Sequence, residues 1–326
     1  MADFQVAHIP LNDIDPARWD AFITASPQGS VYALHGFLFA LRKDWRALIV
    51  LQQDEWQAVM PYCLNKRWRF TSLPQPTFTQ YLGICFQDRQ FDTAFQAFRW
   101  KNRLVSRMVD DVAEIDLFVQ SFSPAFDYPM PFHWAGYSIH NRYTYICSLE
   151  DDFERHFSPS LRRHLRKANK HQLQCCSLDD LSPLLELYRL NAEKGHDILG
   201  QAATSHDKMH RLINFLKREK RGEIRAVKNQ NGDILAAGVF VHFKQKGLYL
   251  MGAMHPESQA YSPMSFLMWE EMKRAKDGAC LSWDFEGSMI EGVERFFRGF
   301  GAKPQAYLQL RKNALPLMVR WIQGFT

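Results

Sequence analysis

Between residues 223 and 254 the chain carries three strand patterns broken by two polar turns, and this meander constrains the fold more than any other stretch. Residues 223–228 lead into the turn Asn229-Gln-Asn-Gly-Asp233, residues 234–243 into Lys244-Gln-Lys-Gly247, and 248–254 form the third strand. Connections this short force antiparallel neighbours. The period then changes. Ser262-Pro263 opens a helix through Met264, Leu267, Met268, Met272 and Ala275, and Gly278 stops it. A strand over 280–285, a short helix over 291–300 and a strand over 306–310 follow. An antiparallel meander that continues through a helix into another strand implies a mixed sheet covered by helices, an α/β chain with α+β character. A doubly wound nucleotide fold would alternate strand and helix from its beginning, and no GxGxxG or Walker A sequence occurs.

Upstream of the meander the pattern is helical. A short helix is expected over 151–157, and Ser158-Pro159 restarts it with Leu161, Leu165 and Ala168 inward. Another is expected to start near Ser177, with Asp180 three positions on, and a third near Thr204 with Asp207. The first half repeats the order faintly. Helices are expected at 16–24, 34–41 and 91–104, and strands at 46–51, 56–64, 81–86, 113–119, 133–140 and 143–149. At 326 residues two domains are the default, and the repeated order suggests a tandem pair, 1–150 and 151–326.

A hydrophobic fraction of 46% with 25 Phe, 11 Tyr and 9 Trp excludes a disordered chain. The net charge of +5 admits an anionic substrate without making the chain a nucleic-acid binder. The 12 His have no metal-ligand spacing and the six Cys form no CxxC pair, which points to no metal and to a cytoplasmic, reduced protein. The opening MADFQVAHIPLND has no basic region leading into an apolar run, and no window reaches 18 apolar residues, so neither a signal peptide nor a membrane span is expected.

The stretch from Trp283 to Gly301, WDFEGSMIEGVERFFRGFG, resembles the carboxyl-terminal signature of the FemAB-like family of tandem N-acetyltransferase (GNAT)-fold proteins. Ser160-Leu-Arg-Arg-His-Leu-Arg-Lys-Ala-Asn-Lys170 and the meander ending Tyr249-Leu-Met-Gly-Ala253 are similar to it as well. The resemblance implies two GNAT-like domains, each a mixed central sheet flanked by helices, the first degenerate and the second holding the active cleft. Members attach amino acids from aminoacyl-tRNA to a peptidoglycan precursor, and relatives of this architecture are assigned as acyl- or acetyltransferases. Two departures stand out. Phe297 occupies the place of the family's donor-binding lysine, and the stretch from Met254 to Pro263, where an acetyl-CoA loop would lie, has no glycine.

The candidate residues follow from chemistry and resemblance together. Arg162, Arg163, Arg166, Lys167 and Lys170 crowd one helix, either as a solvated face or as a grip on phosphate or a tRNA end, with Arg162, Arg163 and Lys167 at the cleft. His196 follows Gly195 in a loop and has a pKa suited to proton transfer. Asp284 and Glu286, two apart on a strand, should face one side, as a structural pair or as proton acceptors for an amine. Ser288 begins the next helix as a cap or an anion contact. Val293, Phe296, Phe297 and Phe300 form a core stripe, and Arg298, off that stripe, would replace the lost lysine charge. Tyr249, where the middle strands of this fold diverge, and Tyr261, at the next helix start, would orient a donor or serve as core. In the first domain, residues 61–69 and 73–81 mix aromatics, bases and prolines, as for one wall of an acceptor cleft.

The expected function is transfer of an acyl or aminoacyl group, from acyl-CoA or aminoacyl-tRNA, to a small-molecule or peptide-like amine. The competing expectation is a non-catalytic binding or scaffold protein on a decayed GNAT-like fold.

Overall fold

A computed structural model describes residues 4–194, 206–287 and 289–316. The chain divides into two compact units, 1–142 with 306–326, and 143–305. The division falls inside one strand, eight residues before the expected boundary of 150. The tail after residue 305, read in sequence as part of the second domain, belongs to the first unit. Its strand pairs there, Gln309 opposite Ser121, and pairing outweighs order along the chain.

In the first unit, β1 (Gln5–Pro10) is followed by α1 (Pro16–Ala25) and α2 (His35–Leu41). Asp15 caps α1 by accepting from the Arg18 N–H at 3.0 Å, with Pro16 in the first turn. Next come β2 (Arg46–Gln52), β3 (Glu55–Tyr62), β4 (Asn65–Arg67), β5 (Phe70–Leu73) and β6 (Cys85–Phe86). Helix α3 (Ala94–Asp111), β7 (Leu117–Ser121) and α4 (Met130–Trp134) complete the run. Strands β1, β2, β3 and β6 form an antiparallel sheet. The β4–β5 hairpin pairs in parallel with β7. Trp100, Leu104 and Met108 of α3 fill the core against Leu48, Met60 and Phe118. The sequence reading missed β1 and the short β4–β5 hairpin. It also split β8 (Ser138–Ser148) in two, because Asn141-Arg142 reads as a turn, and it extended the first part over α4. Pro129 and Pro131 instead favour the helix, which ends at Gly136 with φ +83°.

The second unit has α5 (Pro159–Lys170), β9 (Gln174–Leu178), α6 (Ser182–Glu193) and α7 (His206–Arg218). The meander is β10 (Gly222–Lys228), β11 (Ile234–Phe243) and β12 (Lys246–Met254). After it come α8 (Pro263–Asp277), β13 (Ser282–Asp284) and α9 (Glu291–Gly299), and β14 (Lys303–Asn313) then carries the chain back into the first unit. The part of β8 in this unit pairs antiparallel with β13, β13 runs parallel to β12, and β11, β10 and β9 continue antiparallel. The helix expected from Ser177 is a correction. Residues 174–178 form β9 because Cys176 and Leu178 pair with Ala226 and Ile224, and the helix begins only at Ser182. Leu161 and Leu165 of α5, Leu267 and Met272 of α8, and Phe297 and Phe300 of α9 share one core with Trp283 and Phe285. Among the described residues no helix is long and apolar enough to cross a membrane.

Candidate active site in the second unit

The site begins where two parallel strands part. Strand β12 pairs with β13 only over Lys246–Leu248, and β12 then runs on to Met254 with β11 alone beside it. A bulge accompanies the parting. Val239 faces Met251 and Phe240 faces Tyr249, which leaves Leu250 as an extra residue out of the ladder. The opened space is a cavity of about 630 Å³ bounded by Tyr249–Met254, the Phe285–Gly287 segment and the starts of α8 and α9. Its wall is mainly apolar, from Met251, Met254, Met264, Val293, Phe296 and Phe297. That is the composition of a small-molecule site.

Polar side chains from several elements line this space as well. Glu286 lies in the wall, turned there by a backbone φ of +57°. Tyr249 and Tyr188 line the same space from β12 and α6. Burial, reinforced by the Glu286 charge, pushes the Tyr249 hydroxyl well above its ordinary pKa of 10.0. Tyr188 is raised as well, by burial first and then by Tyr249 and Glu286, with the Gly252 N–H opposing. Both hydroxyls therefore keep their protons at neutral pH. Gly252 is required at its position, since a Cβ would stand 2.8 Å from the Tyr249 hydroxyl and from the Ala237 carbonyl oxygen.

Asp284 and Glu286 do not share a face, which corrects the strand reading. Strand β13 ends at Asp284, and the left-handed turn at Glu286 breaks the alternation on which the expectation rested. Asp284 is fully buried and accepts from the Thr144 hydroxyl at 2.5 Å and the Glu286 N–H at 2.9 Å, with the Lys246 ammonium 3.7 Å away. It anchors the turn that presents Glu286. Burial raises its pKa above 3.8, while Lys246, Thr144 and the Glu286 N–H oppose the shift. A raised carboxyl contributes stability that is fully present below pH 3.8 and lost as pH rises through the folded-state value. Asparagine does not titrate. Asp284→Asn should therefore fare better relative to the unsubstituted protein at pH 7 than at pH 4, as read from urea unfolding of both proteins; a stability gap identical at the two pH values would contradict this.

Helix α5 brings one residue that the sequence reading passed over. His164 lines the cavity, and burial, then Arg163 and Lys167, lower its pKa below 6.5. The signal was in the stripe Leu161, His164, Leu165, Ala168, whose i, i+3, i+4, i+7 spacing places His164 on the inward side. Arg163 and Lys167 flank it, both exposed. Arg162 is turned away, donating to the carbonyls of Arg155 at 2.9 Å and Glu154 at 3.3 Å. Arg298 is exposed and paired with Glu294 at 3.2 Å, and Tyr261 packs edge-on against His171; neither is in the cavity wall. His196 and Ser288 lie outside the described residues. Phe297 is 4% exposed, a core residue whose ring also closes the cavity. No cluster of metal-ligating side chains occurs among the described residues.

A mixed sheet whose parallel pair splays around a cavity, beside the helix that follows the bulged strand, is the layout of a GNAT-like fold. Residues 155–298 match the family described as acetyltransferase (GNAT) domain. The chain is similar in fold to FemX, with TM-score 0.69 and 15% identity over 99% of this chain and 100% of that one. A tandem GNAT protein from the clavulanic acid biosynthesis pathway is similar over 96% of this chain and 99% of its own, with TM-score 0.56 and 7% identity. L-PGS from Bacillus licheniformis aligns over 95% and 96%, with TM-score 0.55 and 11% identity. No curated protein sequence matches the chain.

Proposed function

We propose that the second unit is an N-acyltransferase that takes an acyl group from a thioester donor of the acyl-CoA class and passes it to an amine. One observation carries the reading: a carboxylate, Glu286, and two tyrosines, Tyr249 and Tyr188, line one largely apolar cavity opened by the splayed strands. The amine nitrogen attacks the thioester carbonyl and a C–N bond forms as the C–S bond breaks. Glu286 accepts the proton that the amine loses, and Tyr249 or Tyr188 donates one to the departing thiolate. The apolar wall keeps water from the thioester. Arg163 and Lys167, beside His164, attract the donor's phosphates.

The exposed basic face of α5 also suits the end of an aminoacyl-tRNA, and the test separates the two donors. Acyl-CoA is incubated with a panel of amines while thiol release is followed, and desulfo-CoA is titrated calorimetrically into the unsubstituted protein and into Arg163→Ala and Lys167→Ala. Thiol release and a loss of affinity of about fivefold per variant are expected, the scale of a solvated ion pair of about 1 kcal/mol. Unchanged affinity in both variants would reduce the basic run to a solvated face. Binding of charged tRNA with no response to CoA would transfer the reading to an aminoacyl donor. A protein that binds neither is the non-catalytic scaffold.

A further inference from the structure

The β4–β5 hairpin of the first unit is joined by a two-residue turn, with Arg67 opposite Phe70 and Trp68-Arg69 at its tip. Trp68 is 78% exposed and has φ +55°. Hairpin turns place glycine or asparagine at such positions, and a bulky aromatic there is a strained choice. Nothing in the fold of the unit requires a tryptophan at this tip, since its ring is left in solvent.

Its surroundings are cationic. Lys66, Arg67 and Arg69 are exposed, and none of them makes an ion pair among the described residues. Arg67 stands 5.7 Å from the Trp68 ring and Arg69 5.1 Å from that of Phe70. The hairpin is also braced. Arg42, neutralised by Asp44, donates to the Asn65 side chain at 2.9 Å and lies 3.5 Å from the Leu64 carbonyl oxygen, which holds the base of the hairpin. The adjoining Lys43 adds an exposed cation. The tip is therefore a fixed projection bearing one amphipathic ring inside a ring of positive charge.

We infer that this hairpin docks the protein on the surface of an anionic lipid bilayer, with the Trp68 indole among the headgroups and Lys66, Arg67 and Arg69 at the level of the phosphates. Charge complementarity and the exposed Trp68 ring at the tip select this occupant. Tryptophan prefers the membrane–water interface, and cations are drawn to anionic leaflets. Single-stranded RNA is a poorer fit, because it takes successive stacking platforms along a groove, whereas here one ring stands at an apex. The inference is independent of the acyl-transfer reading, since it concerns the first unit alone.

The full-length protein is sedimented with phosphatidylcholine vesicles with and without phosphatidylglycerol, at roughly 0.1 M salt. Partitioning onto the phosphatidylglycerol vesicles alone is expected. It should fall about fivefold for each of Lys66→Gln, Arg67→Gln and Arg69→Gln, the factor for one cation near an anionic surface. Trp68→Ala and Trp68→Gly should both lose at least as much. Glycine relieves the positive φ, so Trp68→Gly should unfold no lower in temperature than the parent protein, and a loss of binding in that variant cannot come from misfolding. Absence of vesicle binding, equal binding to uncharged vesicles, or full binding by Trp68→Gly overturns the proposal. So does retention of a single-stranded RNA oligonucleotide through Trp68 while vesicles are ignored.

Discussion

Glutamine at Glu286 should lower the rate of acyl transfer by about 10²–10⁴-fold, the range for loss of a positioned general base, while donor affinity stays near that of the parent protein. The amine must lose a proton as its nitrogen bonds to the carbonyl carbon, and Glu286 is the carboxylate in the cavity wall. The substitution is nearly isosteric, and the contact that fixes the turn, from the Glu286 N–H to Asp284, uses the backbone and survives. The loss should therefore fall on the chemical step in single-turnover measurements, with unfolding temperature unchanged. The pH profile supplies a second reading. The Tyr249 and Tyr188 hydroxyls are held above their ordinary value of 10.0, so neither should produce an alkaline loss of activity below pH 10. Full turnover by a folded Glu286→Gln protein would remove Glu286 from the mechanism, leaving His164 as the other proton acceptor in the cavity wall.

The meander, the α8 helix with its Ser262-Pro263 start and Gly278 stop, and the Phe stripe of α9 were legible because local pattern and tertiary role agree there. Where tertiary pairing decides, legibility failed. Residues 174–178 become a strand only because β10 lies beside them, and Asn141-Arg142 runs straight through β8 despite its turn-like composition. The site divides along the same line. Tyr249 was within reach of the sequence because diverging strands were expected around it, and Glu286 because it was read with Asp284 as a pair of carboxylates on one strand. The burial of Asp284 was not, because it depends on Thr144, which is remote in sequence, and on a left-handed turn at a residue that does not advertise one. The basic run drew attention to its cations and away from His164, although only the histidine lies on the stripe that faces inward.

Phe297→Lys, which restores the lysine of the resembling family, should destabilise the second unit by about 3–5 kcal/mol, the cost of deleting a buried phenyl ring, and should not improve donor use. The Phe297 ring stacks on Phe285 with centroids 5.1 Å apart and also meets Phe296 and Tyr145 at 5.9 and 6.0 Å. Lysine removes those contacts and sends an ammonium toward an apolar cavity, where a charge without a partner is costly. The carboxylate that can meet it there is Glu286, so a new pair would offset part of the loss while withdrawing the proton acceptor from the amine. The double variant Phe297→Lys/Glu286→Gln separates these effects. If the ammonium pairs with Glu286, the double variant is less stable than the sum of the single losses; if the ammonium escapes to solvent, the losses add. Phe297→Leu serves as the reference, since it keeps the wall apolar and loses only part of the ring's contacts. Urea unfolding of the four proteins gives the cycle. A Phe297→Lys protein as stable as its parent would mean that the cavity is wet at this point, which removes the support for a water-excluding thioester site.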